Sequence, residues 1–296
     1  MDNLEQRISQ ARNDREHGSR WLVRETISIM RDLAGTPASS PHEHLRQLRH
    51  AGHELMHARP AMAAIAGAIA RILNAPGGSA GIAREAARLL EEYDTAIERI
   101  TQHARPLLTG TLMTHSLSGT VLEVLIACRA AIERMIVLEG RPRYEGRDVA
   151  RALSEHGLAV TLITDAQADI FLPQCHAVVV GADTVLENGD VINKAGTALL
   201  AWAAHGHKIP LYVLCETLKI SAQRWSGDLV QLEEKEAEEV LEQPIKGVTV
   251  RNFYFDHTRA RLVTRLITEQ GLLSKKEIRK MASTLKTLLG NARNMR

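Results

Sequence analysis

The chain has 296 residues, 45% hydrophobic and 24% charged, with only 3% aromatic and a formal net charge of +2. Such a balance belongs to a globular protein of one large domain or two modest ones, and as a whole-molecule property it argues for no polyanionic partner. Three widely spaced cysteines, Cys128, Cys175 and Cys215, exclude a disulfide framework and a thiolate metal site, and no apolar run approaches the roughly 20 residues that span a bilayer.

From residue 2 to about 103 the pattern predicts helices throughout. Trp21, Leu22, Glu25, Ile29 and Leu33 recur at helical spacing, as do Leu45, Leu48, Leu55 and Met56. Breaks fall at Gly35 to Pro41 and at Asn74 to Ser79, and the Ala/Arg/Glu-rich segment 80–103 reads as a single helix. After Pro106 short apolar runs alternate with helical segments. Strands are expected at 107–113, 135–138, 160–164, 177–180 and 211–214, and helices at 119–133, 146–156, 166–174 and 197–206. This alternation implies right-handed crossovers and a doubly wound parallel sheet. The composition shift near residue 105 marks the expected boundary between a helical N-terminal domain at 1–105 and an α/β ligand-binding domain at 106–274. The acidic run Glu233 to Glu239 reads as a solvated helix face.

Three polar segments follow expected strands, where an α/β sheet gathers its ligands. The longest runs from Gly181-Ala182-Asp183 to Asn193-Lys194-Ala195-Gly196-Thr197, after the apolar run 177–180 and before an Ala/Leu-rich helix. Asn193, Lys194, Gly196 and Thr197 offer an amide, an ammonium, free backbone N–H groups and a hydroxyl at a helix start, which suits phosphate. Asp183, just past the strand, is placed to act as acid or base. Without a ligand, the same residues would make a tight loop with an Asn-Gly turn and a threonine cap. The second segment, Thr114-His115-Ser116 to Thr120, holds hydroxyls that equally serve as helix caps. In the third, Glu139 to Gly146, Arg141 carries the planar fork that matches phosphate or carboxylate.

The string GAD-x-V-x-x-N-G-x-V-x-N-K-x-G-T at 181–197 resembles the signature of the initiation factor 2B alpha/beta/delta-type family, which includes aldose-ketose isomerases acting on sugar 1-phosphates. Further stretches resemble the family's motifs in order: Glu139-x-Arg141-Pro142 to Gly146, Tyr212-Val213 to Glu216 and Lys219, Asn252 to Thr258, and Thr268-Glu269-Gln270-Gly271. The resemblance implies a helical domain followed by a Rossmann-like domain, a phosphorylated sugar or nucleotide in the cleft between them, and a homodimer or larger homo-oligomer formed through the Rossmann-like half. It also implies that Arg59, in Arg59-Pro60, reaches the phosphate, that Gly18 lies in a phosphate loop whose arginine is replaced by His17, and that His115 lines the site. The isomerase branch carries Thr-His-Cys where this chain has Thr114-His115-Ser116, the cysteine and the aspartate matching Asp183 being the catalytic pair. An alcohol cannot exchange a proton near neutral pH without a strong base beside it, whereas a thiol of pKa near 8.5 can. Ser118-x-Thr120-Val121 is similar to the regulatory members, and Arg259 replaces the family's proline. The sequence therefore points first to a regulatory binding protein, with no cofactor, and second to an isomerase of ribose 1,5-bisphosphate type using Asp183 and Ser116. Cys215 is the one thiol that could stand in.

His53-Glu54-Leu55-Met56-His57 spells the zinc motif H-E-x-x-H, but Arg59-Pro60 ends the helix and no third ligand follows, so no metal is expected. In the basic segment 275–296, Ile278, Met281, Leu285 and Leu288 share a face, predicting an amphipathic helix packed on the body or on a second subunit. A nucleic-acid tail is the weaker reading, since so few aromatics offer no stacking platform. Reduced thiols and an amino-terminal stretch without an apolar signal region imply a cytoplasmic protein.

Overall fold

The structure, a computed structural model, describes residues 2–13, 19–58, 62–227 and 232–294. Six helices come first: α1 (Asp2–Asn13), α2 (Ser19–Ala34), α3 (Pro41–Ala58), α4 (Ala63–Leu73), α5 (Gly78–Asp94) and α6 (Ala96–Ala104). Apolar residues at helical spacing, such as Leu22, Val23, Ile27 and Met30 of α2, meet Ile65, Ile69 and Ile72 of α4 and Leu89 of α5 in one core.

The segment 80–103 is not one helix. Thr95 breaks it: its hydroxyl donates to the carbonyl of Glu91 at 2.9 Å, giving the backbone a local partner that competes with helix propagation. The break redirects the chain, so that Ile100 and Ala104 of α6 pack on the sheet that follows.

That sheet begins with β1 (Gly110–Thr114), α7 (Gly119–Cys128), β2 (Ile132–Leu138), α8 (Glu145–Glu155), β3 (Val160–Ile163), α9 (Ala168–Phe171) and β4 (Ala177–Val180). After β5 (Thr184–Val185) and β6 (Val191–Lys194) come α10 (Thr197–Gly206), β7 (Leu211–Leu214), β8 (Phe255–Thr258), β9 (Arg265–Thr268), β10 (Gly271–Leu273) and α11 (Lys275–Asn294). Seven strands form the main sheet in the order β10-β9-β7-β4-β1-β2-β3, parallel except for β10. Alternate residues face opposite sides. Met113, Val178 and Val213 meet α10 and the start of α11 on one side, and Leu112, Val179 and Leu214 meet α6, α7 and α8 on the other. This is the expected α/β architecture, helices first and a Rossmann-like parallel sheet after, with the strand order reversing between β1 and β4, where such sheets hold ligands.

Two further features were not expected. A small antiparallel sheet, β5-β6-β8, takes its first two strands from the segment read as a loop and its third from the Asn252 to Thr258 motif. The acidic run is no helix face either: only Ala237–Glu239 makes a helical turn, Glu234 bridges Phe253, and the Glu239 carboxylate turns in to accept from the Asn252 amide at 3.0 Å. Finally, α11 returns to the helical half. Ile278 and Ala282 are buried with the sheet's core, Asn74 of the α4 C-cap donates to the Leu288 carbonyl at 2.9 Å, and a side chain at Gly67 of α4 would meet Leu285. No helix among the described residues is long and apolar enough to cross a membrane.

Candidate functional site

Because β1, β2, β4 and β7 run parallel, the segments that follow them emerge at one edge of the sheet. After β1, His115 is buried and its Nε2 donates to the Ala195 carbonyl at 2.9 Å. A carbonyl only accepts, so Nε2 carries the proton. Burial lowers the pKa of this imidazole, outweighing the Ala195 bond and the nearby Asp165, and keeps it neutral. Gly196 presses on the same ring: a Cβ there would sit 2.8 Å from His115 Nε2, and its φ of +107° is itself a glycine conformation.

Ser116 follows with φ +70°, a left-handed turn that a non-glycine residue adopts at a cost. Its hydroxyl lies 3.4 Å from Glu145 Oε1, and that oxygen also receives the buried Lys194 ammonium at 2.9 Å. Lys194 Nζ stands 4.3 Å over the ring of Tyr254. The Tyr254 hydroxyl is hydrogen-bonded to Arg143 and to Glu239 at 2.5 Å. Ser116 and Lys194 are thus joined through Glu145, and Arg143 approaches them across Tyr254.

Asp183 sits half-buried between β4 and β5, its N–H tied to the Ile192 carbonyl at 3.0 Å. Its carboxylate makes no hydrogen bond or ion pair among the described residues. Burial raises its pKa, opposed by the charges of Lys219 and Lys194 and reinforced by Glu233 and Glu145. Past β7, buried Glu216 accepts from Thr120 at 2.8 Å and from Arg20 of α2 at 3.0 Å, while Lys219 Nζ stands 3.9 Å away. Burial pushes the Glu216 carboxyl up, but Lys219, Thr120 and Arg20 together hold it below the usual range. Arg20 thereby carries a charge from the helical half to the sheet edge.

The remaining residues singled out from sequence are placed differently. Asn193 and Thr197 are buried on each other: the amide donates to the threonine hydroxyl at 3.0 Å, and that hydroxyl donates to the Lys194 carbonyl at 2.7 Å. The backbone N–H groups at the start of α10 are not free. Asp256, arriving on β8, accepts from Gly196 and Ala198 at 2.8 and 2.9 Å, so a carboxylate already occupies the helix N-terminus. Arg141 is exposed and gives its guanidinium to the Tyr144 hydroxyl at 2.7 Å and the Val240 carbonyl at 3.2 Å. Gly18 and Arg59 lie outside the described residues. His53 and His57 are exposed on α3, with rings 4.2 Å apart. Among the described residues no group of three acidic, histidine or cysteine side chains could hold a metal.

The ordered motifs on this sheet edge have matching relatives. The sequence profile described as the initiation factor 2 subunit family matches residues 15–275. The chain belongs to that family. It is 34% identical to the ribose 1,5-bisphosphate isomerase of Archaeoglobus fulgidus, over 77% of this chain and 76% of the relative. It is 34% identical to the methylthioribose-1-phosphate isomerase of Pelotomaculum thermopropionicum, over 80% of this chain and 73% of that enzyme. The crystal structure of translation initiation factor eIF-2B from Pyrococcus horikoshii superposes with a TM-score of 0.76 at 30% identity, covering 92% of this chain and 97% of that one. Family membership thus spans named isomerases and a named initiation factor, and the site chemistry has to separate them.

Set against this initiation factor 2 family, two details matter. Ser116 holds the place where the resemblance puts a cysteine. Cys215 cannot take over as a nucleophile or acid/base thiol: it is fully buried, and burial pushes its thiol far up, beyond what Lys219 offsets. Sequence reasoning missed Glu145, Arg143, Tyr254, Asp256 and Arg20 as site residues. Glu145 and Arg143 stood inside a recognised motif. Tyr254 and Asp256 stood inside another, Asn252 to Thr258, whose approach to the sheet edge is set by tertiary contacts, and Arg20 alone lay in no recognised motif.

Proposed function

We propose that this protein binds a phosphorylated sugar or nucleotide in the cleft at the sheet edge and works as an initiation factor 2B alpha-like regulatory protein without efficient isomerisation. The observation that carries the reading is the Ser116–Glu145–Lys194 cluster. A ligand phosphate would replace Glu145 on Lys194, a charge-assisted exchange for which Arg143 and Lys219 supply further positive charge. Arg59, Arg141, Asn193, Gly196, Thr197 and the Gly18 loop shape or line the same cleft in this proposal. Ser116 cannot deliver a proton as a thiol would, because the only carboxylate it touches among the described residues, Glu145, is neutralised by Lys194. The protein acts in the cytoplasm as a homo-oligomer.

One observation favours the isomerase as a second reading. The Asp183 carboxylate stays unpartnered with a raised pKa, the state of a group kept ready to exchange a proton. Calorimetric titration with ribose 1,5-bisphosphate, followed by a product assay on the same sample, separates the two. Binding without turnover supports the regulatory reading, turnover supports the isomerase, and absence of both overturns the shared site.

A further inference from the structure

A cavity of about 390 Å³ lies at the other end of the small sheet, where the β5–β6 turn, the segment after β8, the start of α11 and Trp225 converge. The turn is pressed against that helix: a side chain at Gly189 would lie 3.6 Å from Ile278 Cδ1 and 4.0 Å from Lys275 Cγ. β6 separates the cavity from the cleft. From Asp190 to Lys194 the strand rise of ~3.3 Å per residue gives about 13 Å.

The charges in this cavity are unbalanced. Among the described residues its one carboxylate, Asp190, is already satisfied by the Ala260 N–H at 2.8 Å, the Asn188 amide at 3.0 Å and His257 at 2.7 Å. Arg259 and Lys275 line the cavity with exposed side chains that make no hydrogen bond or ion pair among the described residues. Arg261, also lining it, stands 5.0 Å from the ring of Trp202 and makes no hydrogen bond or ion pair among the described residues. One wall is flat, because Trp225 and His257 stack at 4.7 Å with their planes 10° apart. Arg259 stands where the resemblance puts a proline. Three cations without carboxylate partners among the described residues, around a cavity of small-molecule size, are the complement of a multiply charged anion.

We infer that this cavity is a second anion site, distinct from the Asp183 cleft, which takes a small molecule bearing a diphosphate or comparable clustered negative charge on Arg259, Arg261 and Lys275 against the Trp225–His257 wall. The test titrates inorganic pyrophosphate by calorimetry into full-length protein carrying Lys194→Met, which removes the ammonium of the cleft. One saturable site should remain, and Arg259→Gln or Lys275→Gln should each weaken it about tenfold or more. Trp225 emission should change on binding, and that change should vanish in Trp225→Phe. Thermal melts of the two surface variants establish that they fold. No saturable binding, or binding that both glutamine variants leave unchanged, overturns the inference. Binding present in the unsubstituted protein and lost with Lys194→Met also overturns it, because the anion then sits in the cleft and supports only the function proposed above.

Discussion

At the residue scale the site turns on what Ser116 and Asp183 can exchange. The unsubstituted protein should show little or no isomerisation of ribose 1,5-bisphosphate, since losing one of two proton-transfer groups costs about 100-fold to 10,000-fold. Ser116→Cys should raise any trace activity, and Asp183→Asn should remove it while leaving sugar-phosphate binding measurable by calorimetry. Cys215→Ser should change nothing, because burial pushes this thiol far up, away from the thiolate. Robust turnover that survives Cys215→Ser would place the protein with the isomerases. Asp256 gives a second prediction. Burial raises its pKa to about 6 against the two N–H bonds of α10. The folded state therefore holds a proton between about pH 4 and 6 that the unfolded chain has released, so this group's contribution to stability is full below pH 4 and is lost as pH rises through 6. The loss is at most about 3 kcal/mol. Urea unfolding of Asp256→Asn should be flatter across that window.

At the scale of elements, the legible parts were those whose residues face a core. The five parallel strands β1, β2, β3, β4 and β7 announce themselves as apolar, β-branched runs, and α11 as a face of Ile278, Met281, Leu285 and Leu288. The small sheet was hidden because its strands hold two to four residues and carry polar ones, Asn193, Lys194, Asp256 and His257, inward or toward the site. The Asp256 cap on α10 joins residues 60 apart, so no local pattern reports it. Likewise the site's third segment was legible as a motif, but not that Arg141 would be held by Tyr144 and Val240 while Arg143 reaches Tyr254. For α11, burial of Ile278 makes a checkable claim: Ile278→Ala should destabilise by about 2–5 kcal/mol in urea unfolding. A loss below about 1 kcal/mol would mean that the helix does not dock through this face.

At the scale of the whole molecule, one surface stands out. Ile170 on α9 is 70% exposed, and Leu199 and Trp202 on the neighbouring α10 are 70% and 47% exposed. Apolar side chains gathered on adjacent helices of the Rossmann-like half are what an isologous interface would cover. Light scattering should give a multiple of 32.7 kDa at micromolar concentration. Leu199→Asp should shift it toward that value, and a monomeric mass for the unsubstituted protein would remove the homo-oligomer from the proposal.

The docking of α11 on α4 also sets an order in time. The bond from Asn74 to Leu288 closes a span of 214 residues, which a ribosome adding roughly 5–20 residues per second takes about 10–40 s to cover. Through that interval the face of α4 around Gly67 waits without its cover, and the helical half emerges from synthesis as an unfinished body. Nascent chains arrested before residue 280 should therefore be cut by protease within α4, while chains released at full length should resist.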